Sequence, residues 1–166
     1  MRTRNRRATA LIESALWIPI LMSLFVGMVQ LARVSYTYYT LHKVLYNFAR
    51  TAGTTPGLNF CADGGSIDEI KAFALAGFPG DQTNTILPNL TAEQIEVRIE
   101  RVNIDTGALD ECDCSSTGCD TASGGQPPDF IVASIPDGYP FTFTFIGLAL
   151  EPIPLRPQVR VPYGGS

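Results

Sequence analysis

The sequence is poor in the groups that most enzymes use for catalysis. Among 166 residues there is one histidine, His42, next to Lys43 in a stretch with helical periodicity. A serine or cysteine nucleophile needs a base within reach, and no second histidine supplies one. The sequence also has no Gly-x-Ser-x-Gly motif and no phosphate-binding glycine loop. We therefore expect a protein that is not an enzyme and needs no cofactor, with His42 on a helix surface.

Charged residues are missing from one long segment. Residues 14–32 contain no Asp, Glu, Lys or Arg, and Gln30 is their only strongly polar residue. A helix over this segment would be about 28 Å long, close to the hydrocarbon thickness of a bilayer. A cleaved signal peptide normally has a shorter apolar region, and no cleavage motif of small residues ends this run. The segment therefore predicts a transmembrane helix at about 14–32, in preference to a buried core helix.

The positive charge near the N-terminus predicts the topology of this helix. Four arginines precede the apolar segment: Arg2, Arg4, Arg6 and Arg7. All 16 acidic residues follow them. Such an asymmetry predicts a cytoplasmic N-terminus and a C-terminus on the other side of the membrane. The acidic remainder is unsuited to binding phosphates, so we expect no nucleic-acid partner.

The helical pattern continues beyond the apolar segment. One apolar stripe with spacings of three and four residues follows it: Leu31, Val34, Tyr38, Leu41, Leu45 and Phe48. No Pro or Gly interrupts residues 28–52, and Gly53 supplies a stop signal. We expect one helix over about 8–52, with Pro19 as a possible kink, whose amphipathic second half packs on a globular head.

An acidic residue stands at the entrance of the apolar segment. Glu13 could reach the lipid headgroups beside the arginines, but its position relative to Ala8 favours a more specific interpretation. The order is a basic leader, a small residue, four further residues, Glu13 and then the apolar run. A carboxylate at that depth costs a few kcal/mol, so a specific partner would be expected.

The stretch from Arg6 to Leu16 resembles the processing signal of type IV pilin-like proteins. Within that class it is similar to the TadE/TadF-like minor pilins (pseudopilins) of tight-adherence (Flp) pilus systems, over about residues 6–53. The resemblance implies that a prepilin peptidase cuts between Ala8 and Thr9, with Ala8 standing where Gly is usual. It also implies a bacterial inner-membrane protein with a periplasmic head, extracellular in the assembled pilus. Its implied partners are the inner membrane, other pilins, the peptidase and the pilus assembly platform.

The resemblance implies a structural role for Glu13. Its carboxylate would pair with the freed amino group of Thr9 on a neighbouring subunit and so set the register of the filament, because two buried charges are tolerated only as a pair. The implied function is a minor pilin that forms part of the filament or primes its assembly. The alternative is a membrane-tethered or pilus-tip adhesin that is not a regular filament subunit.

The pattern divides the chain into a leader at 1–8, a helix at 9–52 and a head at 53–166. In the head we expect one short helix at 67–77, capped by Ser66, and strands at 95–104, 130–135, 139–150 and 155–161. The first two strands should be antiparallel, and the prolines of the last confine it to a sheet edge. The fold class is therefore α+β and pilin-like: a long helix, transmembrane and then amphipathic, packed on a small antiparallel sheet.

The chain has four cysteines, three of them close together: Cys61, Cys112, Cys114 and Cys119. Disulfides persist in the oxidising compartment that the topology predicts. A bridge between Cys112 and Cys114 would be strained, which leaves two pairings. One is Cys61–Cys112 with Cys114–Cys119, and the other is Cys61–Cys114 with Cys112–Cys119.

Metal binding is the alternative use of this cysteine-rich region. Four thiolates could bind zinc, but the paired Cys-x-x-Cys motifs of zinc sites are missing and the compartment is wrong. Four nearby carboxylates could recruit calcium weakly, although a solvated acidic loop is the better interpretation: Asp110, Glu111, Asp113 and Asp120. We therefore expect disulfides and no metal.

Overall fold

The computed structural model describes residues 2–61, 65–76, 87–145, 148–149 and 151–164, and of these it describes only the backbone for residues 2–11, 144–145 and 148–149. The helices are α1 (Arg2–Thr54) and α2 (Ser66–Ala76). The strands are β1 (Glu96–Val102), β2 (Leu109–Glu111), β3 (Phe130–Ser134), β4 (Tyr139–Phe141), β5 (Thr144–Phe145), β6 (Leu148–Ala149), β7 (Ile153–Leu155) and β8 (Gln158–Pro162). Two 3₁₀ turns lie at Ala92–Gln94 and Thr121–Ser123.

Helix α1 is the dominant element, and it is longer than the sequence pattern predicts at both ends. It contains Pro19, whose missing N–H removes one backbone hydrogen bond from the helix. Nearby, Ser23 Oγ donates to the carbonyl of Ile20 at 2.8 Å, so the one hydroxyl in this turn is satisfied locally. The absence of glycine between residues 28 and 52 allows the helix to continue to Thr54.

The chain forms two compact units. One comprises residues 1–36 with 142–152, and it contains the hairpin of β5 and β6, which pairs Phe145 with Leu148. The other comprises residues 37–141 with 153–166 and contains the remaining sheets, helix α2 and both disulfides. We call the second unit the head.

A four-stranded antiparallel sheet organises the head, in the order β2-β1-β3-β8. The predicted antiparallel pairing of the first two long strands is confirmed, with Ile99 opposite Ile131. Strand β8 lies at the edge, as its prolines predict. Strand β1 ends at Val102 rather than at Ile104, because residues 104–106 form the turn into β2, a strand that the sequence pattern missed.

The proline-rich C-terminal region differs most from the sequence prediction. The single strand expected over 139–150 is three short strands, β4, β5 and β6. The strand expected over 155–161 is also divided, and Pro157 lies between β7 and β8. Strand β7 pairs with β4 in a separate two-stranded sheet, in the register Tyr139 opposite Leu155. Proline cannot donate to a sheet ladder, so a segment rich in proline forms short pieces rather than one long strand.

The core of the head lies between the sheet and the last part of α1. One face of α1 is buried at consecutive turns: Leu41, Val44, Leu45, Phe48, Ala49 and Ala52. These residues share one cluster with the inner face of the sheet, including Ile131 and Ala133. At the end of the helix an added Cβ on Gly53 would lie 3.3 Å from the carbonyl oxygen of Pro162, so glycine permits this close approach. The N–H of Gly164 also donates to the Gly53 carbonyl at 2.9 Å, which fixes the C-terminal tail there.

The outer face of the sheet is charged but still covers an apolar residue. Val132 on β3 is fully buried, and its cross-strand neighbours are Arg98 on β1 and Arg160 on β8. The alkyl stems of arginine can cover such a side chain while the guanidinium stays in solvent. Arg160 Nε lies 2.8 Å from a carboxylate oxygen of Glu100, and this ion pair connects β8 with β1 across β3.

Helix α2 and the loop before β1 complete the core. The carbonyl of Gly65 accepts a hydrogen bond from the N–H of Glu69, and the helix begins at Ser66, one residue earlier than expected. Ala74 and Leu75 are buried, whereas Phe73 is 45% exposed. In the loop before β1, the carbonyl of Pro88 accepts a hydrogen bond from Oη of Tyr139 on β4 at 2.8 Å. Burial raises the pKa of this tyrosine above its ordinary value.

Candidate functional site: the exposed apolar helix and the disulfide clasp

The described part of α1 before the head exposes most of its apolar side chains, and Val26 and Val34 are half-buried. Large hydrophobic residues here are between 44% and 73% exposed, and they include Ile12, Trp17, Ile20, Leu21 and Phe25. Leaving such side chains in water forgoes about 1.5–3 kcal/mol each relative to burial. A surface of this kind is stable against lipid or against other apolar helices.

This segment meets the length and composition of a membrane span. Among the described residues, one helix is long and apolar enough to cross a bilayer, at Ile12–Thr54, and the most apolar part of it has no residue buried within the protein. The buried face of α1 begins at Thr40. The predicted stripe is therefore divided: Leu31 and Tyr38 are exposed, and Leu41 and the members that follow it are in the core.

Glu13 lies on α1 at the start of the apolar surface, and its side chain is exposed. Position 9 lies one helical turn before it, at an axial distance of about 6 Å. The side chains of the leader arginines and of the expected cleavage position lie outside the part that the structure describes: Arg2, Arg4, Arg6, Arg7, Ala8 and Thr9. The backbone places all of these positions in the first turns of α1.

The four cysteines form two disulfides in the head. Cys61 is bonded to Cys114, and Cys112 is bonded to Cys119, which is the second of the two pairings that the spacing leaves open. The first bond joins the segment after α1 to the loop after β2, and the second closes that loop on itself. We call this arrangement of four cysteines the disulfide clasp.

The loop that carries three of these cysteines is ordered by its own backbone. The carbonyl of Asp113 accepts hydrogen bonds from Ser115 at 3.0 Å and from Cys119 at 2.9 Å. At its start, the N–H of Cys112 donates to the carbonyl of Ile99, which continues the ladder between β1 and β2. Cys119 is buried and Cys114 is exposed, so Cys112–Cys119 is the inner bond of the clasp and Cys61–Cys114 is the outer, more exposed bond.

A hydrogen-bonded pair reinforces the clasp. Asn59 Nδ2 donates to Asp120 Oδ1 at 2.9 Å, next to the bond between Cys61 and Cys114. Ser123 Oγ donates to the other carboxylate oxygen at 2.6 Å. The hydrogen bonds from Ser123 and then from Asn59 lower the pKa of Asp120 below its ordinary value. This contact could not be found from the sequence, because its partners are 61 positions apart and neither belongs to a recognisable motif.

The clasp is not arranged as a metal site. All four cysteines are in disulfides, which leaves no thiolate for zinc. Among the side chains that the structure describes, no three His, Cys, Asp or Glu residues form a group that could hold a metal ion. Asp110 accepts a hydrogen bond from Asn103, and Asp120 accepts one from Asn59. Two of the four acidic residues considered for calcium therefore already have protein partners. His42 is exposed on α1, as the sequence predicts.

These features define a class of protein: an α+β head on a long helix whose N-terminal part is compatible with a single-pass membrane anchor. A comparison with protein families identifies what the N-terminal part of the chain is similar to. The model of the family described as TadE-like protein matches residues 8–50. The resemblance to TadE-like proteins is therefore confirmed over residues 8–50, and it indicates a protein associated with the Tad pilus. No curated protein and no solved structure matches the chain.

Proposed function

We propose that this protein is a minor pilin or pseudopilin of a tight-adherence pilus. It is inserted in the bacterial inner membrane with its N-terminus in the cytoplasm and its head in the periplasm. A prepilin peptidase cuts between Ala8 and Thr9, and the mature protein enters or primes the filament through α1. The observation that carries this proposal is the TadE-like match, which begins at residue 8, the last residue of the proposed leader.

The surface of α1 supports helix-to-helix assembly. Most of its apolar side chains are exposed over the segment that precedes the head, and its fully buried face begins at Thr40. In a bilayer these side chains contact lipid, and in a filament they contact the same segment of neighbouring subunits. Removal of the leader separates the four arginines from the helix, which takes away charges that would oppose its transfer from lipid into a bundle.

Glu13 sets the register in this proposal. After cleavage it is the fifth residue of the mature chain, in the first helical turns, where the helix dipole favours a negative charge. The new amino group of Thr9 is a positive charge at the helix end. Pairing of the Thr9 amine of one subunit with Glu13 of the next sets an axial offset of about 6 Å between helices. The pair also neutralises both charges before they become buried.

The test is the incorporation of Glu13 variants into pili. Glu13→Gln keeps the size of the side chain but removes its charge, so it leaves the neighbouring amine unpaired. We expect the amount of this variant in sheared pili to fall at least tenfold, with an unchanged amount in the membrane fraction, measured by quantitative mass spectrometry of both fractions.

Glu93→Gln is the matched control, because Glu93 is an exposed carboxylate of the head, far from α1 in sequence. It should enter pili at the wild-type level. If Glu13→Gln enters pili as well as this control does, the proposed role of the carboxylate is wrong. If the wild-type protein is found only in membranes and never in pili, the membrane-tethered alternative replaces the filament subunit.

A further inference from the structure

The two disulfides of the clasp are interlaced along the chain. In sequence order, the first cysteine is bonded to the third and the second to the fourth. A head that emerges from the membrane beginning at the end of α1 would present Cys61, then Cys112, then Cys114 and Cys119. Oxidation in order of appearance joins Cys61 to Cys112 and leaves Cys114 for Cys119, which is the pairing that the structure does not contain.

Loop closure also favours the wrong local bond. Cys114 and Cys119 are five positions apart, whereas the native pair Cys112 and Cys119 has a separation of 7. Since closure probability falls as the 3/2 power of loop length, the shorter loop closes about 1.7-fold more often. Bonds to Cys61 span about 50 positions, so they form about 20-fold less often than the Cys112–Cys119 bond and about 30-fold less often than a Cys114–Cys119 bond. The competition between the two local bonds therefore decides the pairing, and Cys114–Cys119 forms first in about 60% of chains.

The wrong pairing is close enough to the native one to trap the chain. If Cys114 is bonded to Cys119, the remaining pair is Cys61 and Cys112, and this pair joins the same two segments as the native Cys61–Cys114 bond. All four sulfurs are then oxidised, and no thiolate remains to start an exchange. The native arrangement differs in that Cys112, fixed to Ile99 at the sheet, is bonded to the buried Cys119.

We propose that the head is a substrate of a thiol–disulfide isomerase, a partner with a reduced nucleophilic cysteine, and that the clasp needs this partner to reach its native pairing. The inference rests on the proposed placement of the head in an oxidising compartment. The partner acts on the head before it packs.

Three exchanges convert the wrong pairing into the native one without net oxidation. The isomerase thiolate attacks Sγ of Cys119, which forms a mixed disulfide and releases the Cys114 thiolate. The Cys114 thiolate attacks Sγ of Cys61 and releases the Cys112 thiolate. The Cys112 thiolate then attacks Sγ of Cys119 in the mixed disulfide, which completes the second native bond and returns the isomerase thiolate.

The test is disulfide mapping of the full chain. Reduced, denatured protein is diluted into detergent micelles with an excess of a thiol-free oxidant, the oxidant is removed, and half of the sample receives a catalytic amount of reduced isomerase with a Cys-x-x-Cys active site. Proteolysis and mass spectrometry then identify the bonds. We expect the interlaced pairing in about 40% of untreated chains, from the loop lengths, and a rise of about twofold after isomerase treatment.

The double variant Cys61→Ser/Cys114→Ser is the control, because only the Cys112–Cys119 bond can form in it and the isomerase should not change its map. Quantitative formation of the interlaced pairing in the wild-type chain without isomerase would overturn the inference. So would a majority of Cys114–Cys119 bonds that persist after isomerase treatment. Both outcomes concern the purified chain in micelles, so they leave the proposed pilus function untouched.

Discussion

Gly138 is a position where both backbone conformation and crowding require glycine. Its φ is +81°, and an added Cβ would lie 2.6 Å from Cβ of Pro154 in β7. Gly124 has a φ of +95° but no atom within 4 Å of an added Cβ. Gly124→Ala should lower the free energy of unfolding by about 1–2 kcal/mol, the cost of the left-handed conformation. Gly138→Ala should lower it by a further 1–3 kcal/mol, because β4 and β7 must also move apart.

Urea denaturation in detergent micelles, followed by near-ultraviolet circular dichroism, measures both variants. Equal losses for the two variants would mean that β7 does not pack against Gly138 as described.

At the same scale, the sequence identified some residues of the site and missed others. The cysteines were evident because cysteine chemistry is nearly independent of context once the compartment is given. The pairing stayed open because Cys112 and Cys114 are only two positions apart, so both can reach the same partners. The hydrogen bond of Asn59 with Asp120 could not be predicted, since it depends on how two irregular loops meet.

Helix α1 is an element with two different surfaces, and substitutions should separate them. Phe48 is fully buried in the core, and Tyr39 is 67% exposed on the same helix. Phe48→Ala should lower the free energy of unfolding of the head by about 3–5 kcal/mol, because it leaves a cavity between helix and sheet. Tyr39→Ala removes a side chain of similar size from the surface and should change it by about 0.5 kcal/mol at most.

The measurement is urea denaturation of each variant in micelles, with wild type alongside. A loss for Tyr39→Ala as large as that for Phe48→Ala would contradict the placement of the core. The comparison uses purified monomer, so contacts of Tyr39 with other subunits do not enter it.

Among the elements, helices were predicted more completely than strands. The periodicity of three and four residues identified α1, but it could not show that burial begins only at Thr40, because lipid and protein select the same apolar residues. The alternation of Ile95, Val97 and Ile99 identified β1, since one face of it is buried. Alternation also suggested one strand over 139–150. Where such a strand breaks depends on its pairing partners: β4 pairs with β7, whereas β5 pairs with β6 in the same segment.

The whole molecule consists of a long helix, whose apolar part is compatible with a membrane anchor, and a small head that is held together by two disulfides. The head is small enough that its core benefits from covalent support, and the outer bond closes a loop of 53 positions. A bond of that span contributes on the order of 4 kcal/mol in the chain-entropy model. The exposed apolar part of α1 has no core of its own to support, and in the proposed placement lipid stabilises its side chains.

The central claim is that the chain is processed and used as a pilin, and the mature N-terminus tests it most directly. Protein is extracted from membranes and from sheared pili, and its N-terminus is read by mass spectrometry, with cells that lack the prepilin peptidase as the control. The account predicts that the mature chain begins at Thr9 in both fractions and that the control retains Met1. A chain that retains Met1 in cells with an active peptidase would contradict it.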